Sequence, residues 1–140
     1  MGDRSGSATR MPLLLARTST AVLIALALAQ AILAGNFLAG QYDALGLHAL
    51  GARAITITSA AQIAILAWLW RAGGPRGAFF AGVAQTLLLV TDYAAGELRL
   101  TALHIPLGVA LVVGITQLAT IIWRIPVSAR PSVDNIQATP

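Results

Sequence analysis

The chain has 140 residues, of which 57% are hydrophobic and 10% are charged. A soluble domain carries about 25% charged residues, so a soluble fold of this length could not cover its surface with so few charges. The composition therefore predicts an integral membrane protein of one compact unit. The absence of cysteine excludes disulfides, thiolate metal sites and iron–sulfur clusters. The arginines are scattered singly and do not form the basic patch of a nucleic-acid-binding protein, so no nucleic-acid partner is expected.

Four apolar stretches follow one another along the chain, and each has the length of a transmembrane helix. A helix rises about 1.5 Å per residue and the hydrocarbon core is about 30 Å thick, so about 20 apolar residues cross it. We predict helices over residues 18–40, 47–70, 77–95 and 101–123. The predicted fold class is all-α, an integral membrane four-helix bundle with up-down-up-down topology.

Short polar segments separate the predicted helices. Residues 71–77 contain Gly-Gly-Pro, which cannot continue a helix, and therefore form a tight turn. Residues 41–47 form a short polar loop, and residues 95–97 close the third helix. Residues 1–17 and 125–140 are rich in Ser, Thr, Pro and Arg, so we expect flexible cytoplasmic tails.

The positions of the arginines predict the orientation in the membrane, because cytoplasmic loops are enriched in Lys and Arg. With four spans, both tails and the 71–77 turn lie on one side, and they hold seven of the nine basic residues. The opposite side holds Arg53 and Arg99. We therefore expect a multi-pass protein of the bacterial inner membrane with both ends in the cytoplasm.

The first apolar stretch allows a second interpretation, a cleaved secretory signal peptide. Three arginines precede the stretch, and Ala27-Leu28-Ala29 before Gln30 has the small-residue pattern of a cleavage site. Signal peptides have apolar regions of about 7–15 residues, however, and this stretch continues to Ala39. Its length favours a retained helix.

Polar residues inside the predicted spans recur in the second half of the chain. The recurring residues pair at offsets of 55 or 56 positions: Gln30 with Gln85, His48 with His104, and Gln62 with Gln117. This pattern is typical of two helical hairpins in tandem. We expect the glutamines to form hydrogen bonds between helices, worth about 0.6 kcal/mol each.

The two histidines occupy matched positions at the starts of the second and fourth helices. Those helices run in the same direction and are diagonal partners in the predicted bundle, roughly 12–14 Å apart. Two inward imidazoles then leave the space that a metal centre with two axial nitrogens needs. Alternatively, each histidine is an interfacial residue with a half-solvated ring. The residues around both sites are small and leave room for a planar group: Gly46, Ala49, Gly51, Ala52 and Gly108.

Three charged residues lie near the predicted histidine pair. Asp92 is seven residues after Gln85 and shares its helical face. We interpret Asp92 as a capping or interfacial acid with Arg99 or Arg53 as its partner. The two arginines could alternatively bind the propionates of a haem.

This arrangement resembles one four-helix half of the bacterial haem A synthase family. The shared features are a histidine at the outer end of helices 2 and 4, a glutamine in the preceding helix, and a glycine three or four residues after each histidine. The resemblance covers residues 18–124 and implies that His48 and His104 are axial haem ligands. Helix 2 contains no counterpart of the family's catalytic carboxylate, so no catalytic residue is implied. The segment 43–51 is also similar to small four-span membrane proteins of high-GC bacteria.

We therefore expect a protein that binds haem b through His48 and His104 and acts as an electron carrier or redox accessory, not as a complete enzyme. The alternative is a structural or accessory membrane subunit without a cofactor. A third interpretation is half of a dimeric transporter, which the repeat allows but the short loops and the absence of mid-membrane charges disfavour. The expected partners are the lipid bilayer and either a membrane redox partner or a second copy in a homo-oligomer.

Overall fold

The computed structural model describes residues 4–127, with side chains from residue 8 onward. These residues form four helices and no strand, which confirms the all-α fold class. All four helices are long and apolar enough to cross a membrane, so the chain is a multi-pass membrane protein. The helices are α1 (Arg4–Leu38), α2 (Ala44–Arg71), α3 (Arg76–Glu97) and α4 (Thr101–Trp123).

The four helices form a closed ring in which each contacts its two neighbours, in the order α1, α2, α3, α4 and back to α1. Within the described residues, no α-carbons of α1 and α3, or of α2 and α4, approach within 8 Å. These are therefore the diagonal pairs of an up-down-up-down bundle, as predicted. We call the end that contains residues 38–48 and 96–104 the histidine end, and the end that contains residues 4–17, 71–76 and 123–127 the arginine end.

The bundle interior consists of two apolar layers with a polar layer between them. The layer nearer the histidine end includes Leu23, Ile55 and Ile115, and the layer nearer the arginine end includes Leu66 and Leu118. The side chains between them are polar and lie near the middle of the spans: Thr20, Ser59, Gln62, Gln85 and Thr86. Lipid offers no hydrogen bonds at this depth, so these groups need partners inside the bundle.

Two interhelical hydrogen bonds join the polar layer. The Gln62 amide donates from Nε2 to Thr20 Oγ1 at 2.7 Å, and the hydroxyls of Ser59 and Thr86 are 2.8 Å apart. Gln62 therefore links α2 to α1, as expected of the glutamines. Gln117 departs from that expectation because its side chain is exposed on α4, so the tandem repeat does not extend to an equivalent of Gln62. Gln85 departs from it as well, because its side chain is buried and its Oε1 has no hydrogen-bond partner among the described residues.

α1 begins at Arg4, fourteen residues before the predicted start. Leu13 and Ala16 are 1% and 0% exposed because they pack into the apolar layer at the arginine end. This burial explains why a segment rich in Ser, Thr and Arg is helical, and residues 4–17 are not the flexible tail that we predicted. Residues 1–3 and 128–140 of the predicted tails lie outside the described part of the chain.

Three of the helices end with the same backbone motif. Gly40, Gly73 and Arg99 have positive φ angles of 93°, 99° and 58°. In each case the next residue donates its backbone N–H to a carbonyl five residues earlier, at 2.8 to 3.0 Å. This is the Schellman motif, which satisfies carbonyls that a helix end would otherwise leave without partners. Arg99 is the one position of the three where a side chain occupies the left-handed conformation.

A side chain from α1 contacts the C-terminal end of α4, at the arginine end of the bundle. Arg17 Nη2 donates to the backbone oxygens of Ile125 at 2.8 Å and of Trp123 at 3.3 Å. A cation at this position complements both the free carbonyls and the negative end of the helix dipole. The contact joins the first helix to the last and completes the ring.

Tryptophans at the arginine end mark one boundary of the hydrocarbon layer. Trp68, Trp70 and Trp123 are 48%, 42% and 46% exposed. Amphipathic rings of this kind sit at the level of the lipid headgroups. Trp70 also packs against Phe79 at the start of α3, with ring centroids 5.3 Å apart.

Candidate histidine site

The structure brings the two predicted ligand residues together at the histidine end. His48 lies in the second turn of α2 and His104 in the first turn of α4. Their ring centroids are 6.2 Å apart, and the ring planes cross at 86°. The backbones of these diagonal helices do not touch, so the two side chains meet across the bundle interior.

The ring separation can be compared with the spacing that one iron between the rings requires. A nitrogen–metal bond of about 2 Å and a distance of about 1.1 Å from ring nitrogen to ring centre place two opposed rings about 6.2 Å apart. The observed 6.2 Å agrees with that spacing. It also lies within the range of about 4.5–7 Å for edge-to-face ring contacts. The distance is therefore compatible with a ligated pair and with a direct ring contact.

Asp92 of α3 orients the His104 ring. His104 Nδ1 lies 2.8 Å from Asp92 Oδ1 and 3.0 Å from the backbone oxygen of the same residue. A protonated Nδ1 donates to the backbone oxygen of Asp92, and the carboxylate oxygen Oδ1 lies within ion-pair distance without hydrogen-bond geometry. Nε2 is then the nitrogen available to a ligand. Histidines that bind metals are commonly held in this way by a carboxylate or a backbone carbonyl.

This role of Asp92 differs from the predicted one. We expected an arginine as its partner, but the only ion pair among the described residues joins Asp92 to His104. The sequence contains a signal that could have indicated this contact. Asp92 lies five residues before the end of α3 and His104 three residues after the start of α4, so the tight turn between them places both side chains at similar depth.

Glycine allows the His104 ring to lie against α3. A Cβ atom at Gly96 would be 3.2 Å from Cε1 and 3.3 Å from Nδ1 of His104. Such a contact is tight, so a larger side chain at Gly96 would displace the ring from Asp92. The close packing of α3 against α4 at Gly96 therefore also positions the His104 ring.

The space beside His48 is only partly available. At Gly51 a Cβ would meet the amide group of Gln30 at 3.1 Å, so Gln30 occupies the room that we predicted for a planar group. Gln30 Nε2 donates to the backbone oxygen of His48 at 2.9 Å and fixes this turn of α2 against α1. Gly46 and Gly108 have no atom within 4 Å of a built Cβ, but Gly46 is exposed and lies about 200° around α2 from His48, so the space at Gly46 is outside the bundle.

Three polar atoms near the site are buried without a hydrogen-bond partner among the described residues. They are His48 Nδ1, Gln30 Oε1 and Asp92 Oδ1, whose contact with His104 is an ion pair without hydrogen-bond geometry. A buried polar group without a partner costs about 1–3 kcal/mol, so a ligand or water that formed a hydrogen bond with it would be stabilised here. No group of three His, Cys, Asp or Glu side chains in the described residues could hold a metal ion.

Of the two arginines that we predicted for the site, Arg53 lies away from the histidine pair and Arg99 lies at the same end of the bundle as the pair. Arg53 follows His48 by five residues and lies about 140° around α2 from it. Its exposed side chain lines a groove between α2 and α3 together with Tyr93, so Arg53 is not brought to the pair. Arg99 is exposed in the turn before α4, at the same end of the bundle as His104.

The chain matches no known protein family, no curated protein and no solved structure.

Proposed function

We propose that this membrane protein binds haem b between His48 and His104 and carries single electrons as a redox accessory. The observation that carries the proposal is the pair of rings 6.2 Å apart, one of them held through Nδ1 by a buried carboxylate. Bound haem supplies reversible one-electron chemistry. His104 presents Nε2, and His48 lies opposite on the diagonal helix.

The other side chains of the histidine end have supporting roles in this proposal. Asp92 fixes the ring orientation and the tautomer of His104. Gln30 holds the backbone of the His48 turn through its 2.9 Å hydrogen bond. Arg99 is the remaining candidate to bind a haem propionate, because Arg53 lies on a different face of α2 from His48.

An absorption spectrum of the purified protein in detergent, before and after addition of hemin, tests the proposal. We expect a Soret band and, after reduction, the split bands of a haem with two histidine ligands. His48→Ala and His104→Ala should each abolish the spectrum and still insert, because the apolar spans do not require the cofactor. Tyr42→Ala is the matched control, since Tyr42 is a 75% exposed ring at the same end.

A colourless protein that does not take up hemin would contradict the proposal. The second candidate function, a structural or accessory subunit without a cofactor, would then be favoured. One observation supports that candidate: the ring distance and angle of His48 and His104 also fit a direct edge-to-face contact, which joins the two diagonal helices.

A further inference from the structure

A groove on the lipid-facing surface between α2 and α3 contains a charged residue. The groove has a volume of about 420 Å³. Arg53 and Thr56 lie on its α2 wall with Ile57, and Val90 and Tyr93 form its α3 wall. None of these residues belongs to the histidine pair.

The depth of Arg53 makes its charge unusual. Arg53 precedes Trp68, one of the interfacial tryptophans at the arginine end, by 15 residues, which is about 22 Å along α2. The hydrocarbon layer is about 30 Å thick, so the α-carbon of Arg53 lies inside it, nearer the histidine end. A long side chain at this depth extends toward the headgroups.

No side chain among the described residues neutralises Arg53. Asp92 is the one carboxylate in an ion pair within residues 8–127, and its partner is His104. A cation within the bilayer is expensive unless it has an anionic partner. The anion that the membrane itself supplies at this depth is a lipid phosphate.

The walls of the groove match the rest of a lipid molecule. Tyr93 lies level with Arg53 toward the histidine end, whereas Ile57 and Val90 lie one turn deeper. Ile57 and Val90 are 70% and 53% exposed, so their apolar surface is available to an acyl chain. The groove therefore has a cationic end at the headgroup level and an apolar end toward the bilayer centre.

We propose that this groove binds one anionic phospholipid of the leaflet at the histidine end. The guanidinium of Arg53 donates hydrogen bonds to the phosphate, and one acyl chain lies along Ile57 and Val90. An anionic lipid is favoured over a zwitterionic lipid because the charge of Arg53 has no other counterion in the groove.

Native mass spectrometry of the detergent-solubilised full chain, titrated with phosphatidylglycerol or phosphatidylcholine, tests this proposal. We expect the wild-type protein to bind phosphatidylglycerol more tightly. Arg53→Gln should weaken phosphatidylglycerol binding about fivefold, the ratio that one basic residue near an anionic membrane surface contributes. Arg53→Lys should retain most of the preference, and Arg99→Gln, the matched control at the same end, should leave it unchanged.

A second pair of variants tests the acyl-chain part of the groove. Val90→Trp should reduce the binding of both lipids by filling the groove, whereas Leu87→Trp, at a 64% exposed position of the same helix, should not. Equal effects of Arg53→Gln and Arg99→Gln would overturn the proposal, as would displacement of the lipid by inorganic phosphate. Arg53→Gln should keep any haem spectrum, so the outcome is separate from that of the proposed function.

Discussion

Asp92 contacts Nδ1 of His104 twice, through its carboxylate and through its backbone carbonyl. Asp92 is 8% exposed and lies within 2.8 Å of His104 Nδ1, inside a part of the chain that has few other charges. An imidazole without this contact could rotate or change its tautomer. The proposed haem site therefore depends on a residue that does not contact the iron.

Asp92→Asn keeps the volume and an acceptor oxygen but removes the charge. We expect haem affinity to fall about 10–100-fold, the usual effect of removing the carboxylate behind a ligating histidine. The midpoint potential of the remaining haem should rise, because a nearby anion stabilises the oxidised iron. Hemin titration and a potentiometric titration measure the two effects.

Glu97→Gln is the control for this variant, since Glu97 is an exposed acid at the same end. It should change neither the affinity nor the potential. An Asp92→Asn protein with wild-type affinity and potential would show that Asp92 is not a positioning residue for a ligand.

The hydrogen bond between Thr20 and Gln62 should contribute measurably to stability. Both side chains are at most 2% exposed, and Nε2 and Oγ1 are 2.7 Å apart. A double-mutant cycle with Thr20→Val and Gln62→Leu should give a coupling free energy of about 0.6 kcal/mol, with about 1.7 kcal/mol as the upper limit for such bonds. Unfolding of the detergent-solubilised protein measures it.

The comparison for this cycle replaces Thr20→Val with Thr116→Val. Thr116 is exposed and donates to its own helix at Val112, so its effect should add to that of Gln62→Leu without coupling. A coupling energy of zero between Thr20 and Gln62 would contradict the interhelical role of the bond.

At the level of helices, the end of α3 carries strain that the ends of α1 and α2 avoid. Arg99 has a φ of 58° where the other two Schellman motifs have glycine. The left-handed conformation destabilises an L-residue by about 1–2 kcal/mol. Glycine avoids this steric cost, but it loses about 0.5–1 kcal/mol more backbone conformational entropy on folding. We expect Arg99→Gly to raise the free energy of unfolding by about 0.5–1 kcal/mol.

The reverse substitution supplies the control. Gly40→Ala places a side chain at φ 93° in the same motif and should lower the stability. Unfolding curves of both variants in the same detergent make the comparison. A less stable Arg99→Gly protein would mean that the arginine side chain itself holds the turn.

The number of spans follows from local features of the sequence, and their boundaries do so only in part. α4 occupies the predicted residues 101–123 because charged residues flank its apolar run. The first turns of α1 were missed because Leu13 and Ala16 are stabilised by residues of other helices. Contacts between distant segments do not appear in a local window of composition.

The candidate site could likewise be predicted from the sequence only in part. The matched positions of His48 and His104 and the diagonal rule for bundles predict a meeting of the two rings. The contact of Asp92 with His104 and the position of Gln30 over Gly51 depend on the rotation of each helix about its own axis. A pattern with few polar residues does not determine that rotation.

For the whole molecule, the closed ring and the distribution of arginines predict a topology. Reporter fusions at residue 74 and at the C-terminus should both report the cytoplasm, and fusions near residues 44 and 97 the opposite side. The two hairpins of the bundle place residues 44 and 97 at the same end. A pattern with residue 74 and the C-terminus on opposite sides would contradict the four-span topology.

The contact of Arg17 with the end of α4 has a consequence for the order of assembly during translation. Arg17 and Trp123 are 106 positions apart, so at about 5–20 residues per second the ribosome needs about 5–20 s between them. During this interval Thr20 can donate to the carbonyl of Ala16 in its own helix, as it does in the finished bundle. Gln30 acquires its acceptor as soon as His48 of α2 is inserted. The first hairpin can therefore satisfy these polar groups in the bilayer before the second hairpin is synthesised. The contact between α1 and α4, which closes the ring of four helices, forms last.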